Sequence, residues 1–245
     1  MSENFWVDSI RIKRLYQEYE VLEILHSAIT CICCLSSNLF NTQEHTLNIY
    51  LGSKITANGD STLDVENRIA KARTTFANLR NIWKSSTIRT KTKIKIFKTN
   101  VIGVLLYGSE SWKVTNNITQ KLDTFQTRCL RRILKIFWPN KISNEELYER
   151  TQTAAISDQI KEKRWKWIGH VLRMETSDIP RVALRWTPSG KRNRGRPRET
   201  WRRSVEKEMK EQGWTWGKVQ QMSADRQRWW SSVQALCAQS TKRTK

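Results

Sequence analysis

Ser61 to Trp83 reads STLDVENRIAKARTTFANLRNIW. Its apolar positions Val65, Ile69, Ala72, Phe76, Leu79 and Trp83 recur at intervals of 4, 3, 4, 3 and 4, which is the period of one face of an α-helix. Ser61 followed by Asp64 has the form of a capping box, so the spacing predicts a helix that begins at Ser61 and runs to Trp83. The opposite face carries Arg68, Lys71, Arg73 and Arg80, which this reading places in solvent. One such stripe cannot be buried alone, and the chain supplies partners for it on the C-terminal side.

The first partner is a helix from about Arg89 to Leu105, with Ile94, Phe97, Val101 and Leu105 facing in and Lys91, Lys93, Lys95 and Lys98 facing out. The second runs from Ile118 to about Ile136, with Ile118, Leu122, Phe125, Cys129 and Ile133 inward, Arg128, Arg131 and Arg132 outward, and Pro139 as its stop. Three amphipathic helices with short connections predict a small antiparallel bundle. On the N-terminal side, Leu47 to Ile55 is rich in β-formers and precedes Asn58-Gly59, so a short hairpin is expected there. The fold class is therefore mainly α, a small helical bundle preceded by a hairpin and followed by further short helices.

Beyond the bundle, Ser143 and Glu146 form a second capping box, opening a helix to about Arg150. A longer helix follows from about Ala155 to Met174, with Ile160, Trp167, Ile168, Val171 and Leu172 as its core face. Asp178 to Pro180 reads as a turn leading into a short apolar segment, Val182 to Trp186. Trp201, Val205 and Met209 share one face of a helix ended by Gly213, and Ser223 is expected to cap a last helix bearing Trp229, Val233 and Leu236. This organises the chain as segments 1–46, 47–60 (hairpin), 61–139 (bundle), 140–187 (helical), 188–200 (basic linker), 201–238 (helices) and 239–245 (basic tail).

Charge narrows the function. The formal net charge is +21, and residues 1–60 hold four basic against seven acidic side chains, leaving 40 against 16 for the rest. An excess of that size costs self-repulsion and is most simply explained by a polyanionic partner, nucleic acid before membrane. Gly190 to Arg203, GKRNRGRPRETWRR, packs Lys191, Arg192, Arg194, Arg196, Arg198, Arg202 and Arg203 into one stretch broken by Gly195 and Pro197. Its core Arg194-Gly195-Arg196-Pro197 has the form of an AT-hook, an extended element suited to the narrow minor groove of A·T-rich DNA. A solvated basic loop making phosphate contacts without sequence preference is the other reading.

Catalytic chemistry finds little support. The seven aspartates stand singly, whereas two-metal polymerases and nucleases cluster carboxylates. No P-loop, G-x-G-x-x-G or G-x-S-x-G occurs. His170, between Trp167 and Val171, reads as a packed or half-exposed residue rather than a general base. The five cysteines lack zinc-site spacing, and their odd number with no secretory signal suits a reducing, intracellular compartment, nuclear or cytoplasmic. The apolar run Val21 to Leu35 is shorter than the ~18–20 residues a membrane span needs, so no membrane association is expected. Of the twelve tryptophans, Trp83, Trp201 and Trp229 fall at core spacing, whereas Trp165 and Trp214 or Trp216 do not and are candidates for stacking unpaired bases.

Five motifs in order carry a resemblance: YLGSKI at Tyr50–Ile55, LLYGSESW at Leu105–Trp112, LRRILKI at Leu130–Ile136, WIGHVLRM at Trp167–Met174 and GKRNRGRPRETW at Gly190–Trp201. Together they resemble the C-terminal part of the reverse transcriptase of LINE-type, non-LTR retrotransposons, over about residues 48–238. The resemblance implies that Tyr50, Leu51, Gly52 and Ser53 correspond to the primer grip, residues 61–136 to the thumb and residues 140–238 to the basic region after it. The Tyr-x-Asp-Asp loop, the other metal-binding aspartate and the endonuclease of that family have no counterpart here, and residues 1–46 do not match the palm sequence that precedes a primer grip.

The expectation is a nucleic-acid-binding fragment, catalytically inert alone, with no catalytic residue, metal, cofactor or small-molecule substrate. Its partner would be RNA, DNA or their hybrid, held through phosphates by Lys91, Lys93, Lys95, Arg128, Arg131 and Arg132 and by the basic linker. A co-opted AT-hook-type DNA-binding or regulatory protein is the alternative.

Overall fold

The computed structural model describes residues 48–50, 53–55, 61–186 and 200–240, and these are mainly helical. Strands β1 (Asn48–Tyr50) and β2 (Ser53–Ile55) pair antiparallel, with Tyr50 opposite Ser53 and Asn48 opposite Ile55. The stretch 61–83 is helical but not as one rod. Helix α1 (Thr62–Asn78) stops at Leu79, whose φ −87° and ψ 15° leave the helical range, and a short helix α2 (Arg80–Lys84) follows. The break has a physical reason: it lets Trp83 stack on Phe76, ring centroids 5.1 Å apart, while its indole N–H donates to the Phe76 carbonyl at 2.8 Å. That interaction occupies one of the carbonyls that a helix C-terminus would otherwise leave unsatisfied.

The start of α1 also differs from a local cap. Ser61 has helical dihedrals, and its hydroxyl donates to the Lys113 carbonyl at 3.2 Å and accepts the Lys113 N–H at 3.1 Å. Asp64 accepts the Lys54 N–H of β2 at 3.0 Å and the Trp112 indole N–H at 2.8 Å. The pair thus ties α1 to chain 52 and 48 residues away rather than to its own first turn. Arg68, expected in solvent, is buried beside Asp64, donates to the Ser53 hydroxyl at 2.9 Å and lies over the Tyr107 ring. Burial lowers its pKa, with Asp64 opposing that shift.

The second helix of the bundle runs as α3 (Thr90–Ile96), a π-helical stretch (Phe97–Ile102) and a short α4 (Gly103–Leu105), burying Ile94, Phe97, Val101 and Leu105 as the spacing predicts. Lys93 departs from its predicted outward position. It is 5% exposed, and its ammonium donates to the carbonyls of Trp83 at 3.0 Å and Ser85 at 2.6 Å, capping the end of α2. Helix α5 (Asn116–Ile133) buries the whole expected stripe. It is ended not by Pro139 but by Lys135 at φ 57°, with the Ile136 N–H returning to the Arg131 carbonyl at 2.9 Å.

Helix α6 (Asn144–Thr151) begins on the predicted box, Ser143 accepting the Glu146 N–H at 3.1 Å. Helix α7 (Ile156–Arg173) then joins two apolar cores. Ile156 and Ile160 complete the core of α1, α3 and α5, whereas Trp165, Ile168, Val171 and Leu172 belong to a second core with Val205, Met209, Val219, Trp229, Val233 and Leu236. The predicted turn at Asp178 is the start of a helix, α8 (Ile179–Arg185), with Pro180 in its first turn, where a missing N–H costs nothing. Helices α9 (Trp201–Glu211), α10 (Trp216–Ala224) and α11 (Arg226–Ser240) close the second core. Ser223 lies inside α10, and Asp225 accepts the N–H groups of Gln227 and Arg228 at the start of α11. Gly213, at φ 62°, ends α9 as expected. Among the described residues no helix is long and apolar enough to cross a membrane.

The LLYGSESW stretch is the junction between the cores. Gly108 takes the left-handed conformation that a side chain would strain, φ 72°, and turns the chain so that Trp112 is buried against Asp64. Lys163 donates to the Leu106 carbonyl at 3.1 Å and pairs with Glu110 at 3.3 Å, while the Trp201 indole donates to the Glu110 carbonyl at 2.7 Å.

The N-terminus of α7 is capped from a distance: the Ile156 N–H donates to Asp123 Oδ1 at 3.1 Å. Burial, aided by Asp158, raises the Asp123 pKa despite backbone N–H groups of Ser157 and Ile156 that lower it. A raised carboxylate contributes stability that is present at low pH and lost as pH rises through its folded-state pKa. Asp123→Asn keeps an acceptor for Ile156 and removes the titration. Urea unfolding at neutral pH and near pH ~4 should therefore show the wild type gaining on the variant as pH falls. A shift in the variant's favour would contradict this account.

Candidate nucleic-acid interface

The inward stripes of α1 and α5 fix what stands beside them. With Ile69, Ala72 and Phe76 buried, Arg73 lies on the edge of α1; with Phe125 and Cys129 buried, Arg128 and Arg132 lie on the edge of α5. The break at Leu79 brings Arg80 and Lys84 of α2 to the same place, and Lys135 arrives at the end of α5. These six cations line an open groove of about 760 Å³ whose apolar lining is Phe76, Ala77, Trp83, Phe125, Cys129 and Phe137. No carboxylate is among the lining residues.

A second depression shares Arg73, Phe125 and Arg128 and continues the surface along α1 and α5. It contains Glu66, which Lys121 pairs with at 2.7 Å. The groove thus gathers cations with no carboxylate among its own lining residues, an arrangement that attracts anions. The Cys129 thiol beneath it is pushed up to about 12 by burial, against the pull of Arg132 and Arg73, so it stays protonated at neutral pH and offers no nucleophile.

The predicted site residues divide. Arg128 and Arg132 line the groove. Arg131, between them, turns away and donates to the Ile142 carbonyl at 3.2 Å and Asn144 Oδ1 at 2.8 Å, holding the α5–α6 connection. Lys91 and Lys95 are exposed on α3, but Lys93 is withdrawn into the fold. Arg202 donates to the Leu184 carbonyl at 2.9 Å and joins α9 to α8, and Arg203 is half-buried on α9, its N–H received by Thr200. Lys191, Arg192, Arg194, Gly195, Arg196, Pro197 and Arg198 lie outside the described residues, as do Leu51 and Gly52. Of the primer-grip-like residues, Tyr50 ends β1, and Ser53 is buried as the acceptor for Arg68.

The tryptophans proposed for stacking are core instead. Trp165 is fully buried, edge-on to Trp214 at 5.4 Å and tilted against Trp229 at 6.0 Å, and Trp216 is half-buried against the same cluster. Phe137, which lines the groove, and Trp138, its neighbour in the chain, are left exposed after the end of α5. The signal for them was their position, two aromatics just past the last periodic apolar residue and before a proline. Among the described residues no three His, Cys, Asp or Glu side chains converge as a metal site.

Comparison with known proteins adds two findings. The chain is similar to a protein of Caenorhabditis elegans that is described as transposon-derived and is uncharacterized. The two are 25% identical over 166 residues, 66% of this chain and 59% of the relative, so the chain spans less than two thirds of that protein. Residues 75–107 match the model of a domain of unknown function (DUF6451). That match runs from the last turn of α1 to Tyr107 and includes Phe76, Arg80, Trp83 and Lys84 of the groove. No solved structure matches the chain.

Proposed function

We propose that this chain is a transposon-related protein that binds nucleic acid by its phosphate backbone, in the groove between α1, α2 and α5. The observation that carries the reading is the convergence of Arg73, Arg80, Lys84, Arg128, Arg132 and Lys135 on one open groove with no carboxylate among its lining residues. The net charge of +21 and the transposon-derived relative support it. In finer terms, we assign α1 to α5 as the counterpart of the thumb of a LINE-type reverse transcriptase, with the hairpin as its primer grip. The chain's role is binding, and no catalytic residue is assigned to it.

A salt-titrated binding assay on A·T duplex, G·C duplex, single strand and RNA–DNA hybrid tests this. Log affinity should fall linearly with log salt, at about −0.9 per neutralised phosphate on duplex. Arg128→Ala with Arg132→Ala should make that slope shallower by about 2 while leaving the circular dichroism unchanged. Affinity indifferent to salt, or a double variant with the wild-type slope, would remove the groove from the account.

A further inference from the structure

Phe137 and Trp138 come five and six residues after Arg132 of α5, and they are 61% and 83% exposed. Phe137 itself lines the groove. A single exposed apolar side chain is ordinary on a protein surface, but an exposed aromatic that lines a carboxylate-free cationic groove, with a second exposed aromatic next to it in the chain, makes a site of mixed chemistry. We infer that this rim is a stacking site for unpaired bases, so that the groove prefers a single strand, or a single-stranded tail beside a duplex, to continuous duplex. The inference rests on the nucleic-acid reading of the groove and specifies its substrate.

The chemistry selects the occupant in two steps. Six cations with no acid among them select a polyanion, and rings beside them gain from a polyanion that carries flat π faces at its charge spacing, which nucleic acid does. An anionic membrane would also attract cationic side chains and a tryptophan, but it meets convex surfaces, whereas these cations line a concavity of about 760 Å³ that a strand can enter. Pairing then decides the form of nucleic acid. In a duplex the base faces are already stacked on one another and closed to side chains, so the two rings can engage only bases that are unpaired. Lys135, in the left-handed conformation, directs the chain out of α5 and so sets the pair beyond the helix end rather than on its buried stripe.

The test is fluorescence anisotropy with a labelled single-stranded DNA, the same sequence as blunt duplex, the duplex with a single-stranded tail, and a single-stranded RNA. Wild type should bind both single strands and the tailed duplex more tightly than blunt duplex. Phe137→Ala with Trp138→Ala should weaken single-strand binding about tenfold or more, leave blunt duplex within about twofold, and keep the salt slope. Trp138→Phe, which retains a π face, should recover part of the loss.

If the alanine pair leaves the ratio of single strand to duplex unchanged, the stacking site is wrong while the groove reading stands. If nothing binds, both fail. Binding to phosphatidylserine vesicles that depends on the two aromatics, without single-strand preference, would reassign the rim to a membrane surface and overturn the inference. Both side chains are exposed, so the variants are expected to fold, and unchanged thermal unfolding checks that.

Discussion

Gly169→Ala is expected to lower stability by about 3 kcal/mol or more, enough to disrupt the C-terminal core. A Cβ at this position would lie 2.0 Å from Trp229 Nε1, 2.5 Å from Cδ1 and 2.6 Å from Cε2. The indole cannot yield cheaply. Trp229 is buried, its N–H donates to the Trp165 carbonyl at 3.1 Å, and its ring is wedged against Trp165 and Trp214. Moving it would cost that hydrogen bond and the packing of three rings together. A contrast comes from Gly103 and Gly217, where an added Cβ meets nothing within 4 Å. Both are helical, so alanine there should stabilise by about 0.5–1 kcal/mol through helix propensity. Urea unfolding followed by near-ultraviolet circular dichroism reads all three. Gly169→Ala behaving like Gly103→Ala would show that α7 and α11 do not approach as closely as the structure places them.

That contact shows why part of the fold was legible in the sequence and part was not. Apolar periodicity reports which face a helix buries, and Val65–Phe76, Ile118–Ile133, Ile160–Leu172 and Trp229–Leu236 are buried as their spacing predicts. Periodicity does not report which element covers the face. The WIGHVLRM stretch therefore gave a helix, while the approach of Trp229 to Gly169, 60 residues apart in number, required the tertiary structure. Ser61 and Asp64 illustrate the same gap: the residue types suit a local cap, and the partners Lys113, Lys54 and Trp112 that replace it are distant. Helix α10 escaped because Gly217 near its start weakens the helical signal and its apolar side chains form no clear stripe.

Among the cations, outward placement follows where the stripe next to a side chain sets its direction, and is lost where a neighbour's carbonyl recaptures it. Arg128 and Arg132 belong to the first group. Arg131 and Lys93 belong to the second, because long side chains reach carbonyls that only a fold brings within range. Arg80 and Lys84, beyond the break of α1 at Leu79, line the groove with Arg128, Arg132 and Arg73, and the indole N–H of Trp83 that favours the break carries no sequence period.

Arg164→Met is expected to cost about 3 kcal/mol, because it leaves the partly buried Glu208 carboxylate without its cation and the Trp112 carbonyl without its donor. Arg164 is 1% exposed and donates to Glu208 Oε1 at 2.7 Å and to the Trp112 carbonyl at 3.3 Å, while Glu208 Oε2 accepts the Trp165 indole N–H at 2.7 Å. Burial lowers the Arg164 pKa, and Glu208, with Glu110, opposes that shift, so the carboxylate compensates the desolvated cation. The pair joins three parts of the chain: α7, α9 beyond residues 187–199, and the LLYGSESW junction. Arg164→Met with Glu208→Gln removes both charges and keeps an acceptor for Trp165. This double variant should be more stable than Arg164→Met alone, and urea unfolding of the two singles and the double measures that coupling. Losses that simply add would mean that the pair contributes no mutual compensation. Because Arg164 is buried, the cost should change little between low and physiological salt, whereas binding at the open groove should weaken steeply over the same range. The same protein thus holds its cations in two electrostatic regimes: Arg164, like Arg68, is buried beside a carboxylate, whereas six stand in an open groove where, on the proposed function, a polyanion would neutralise them.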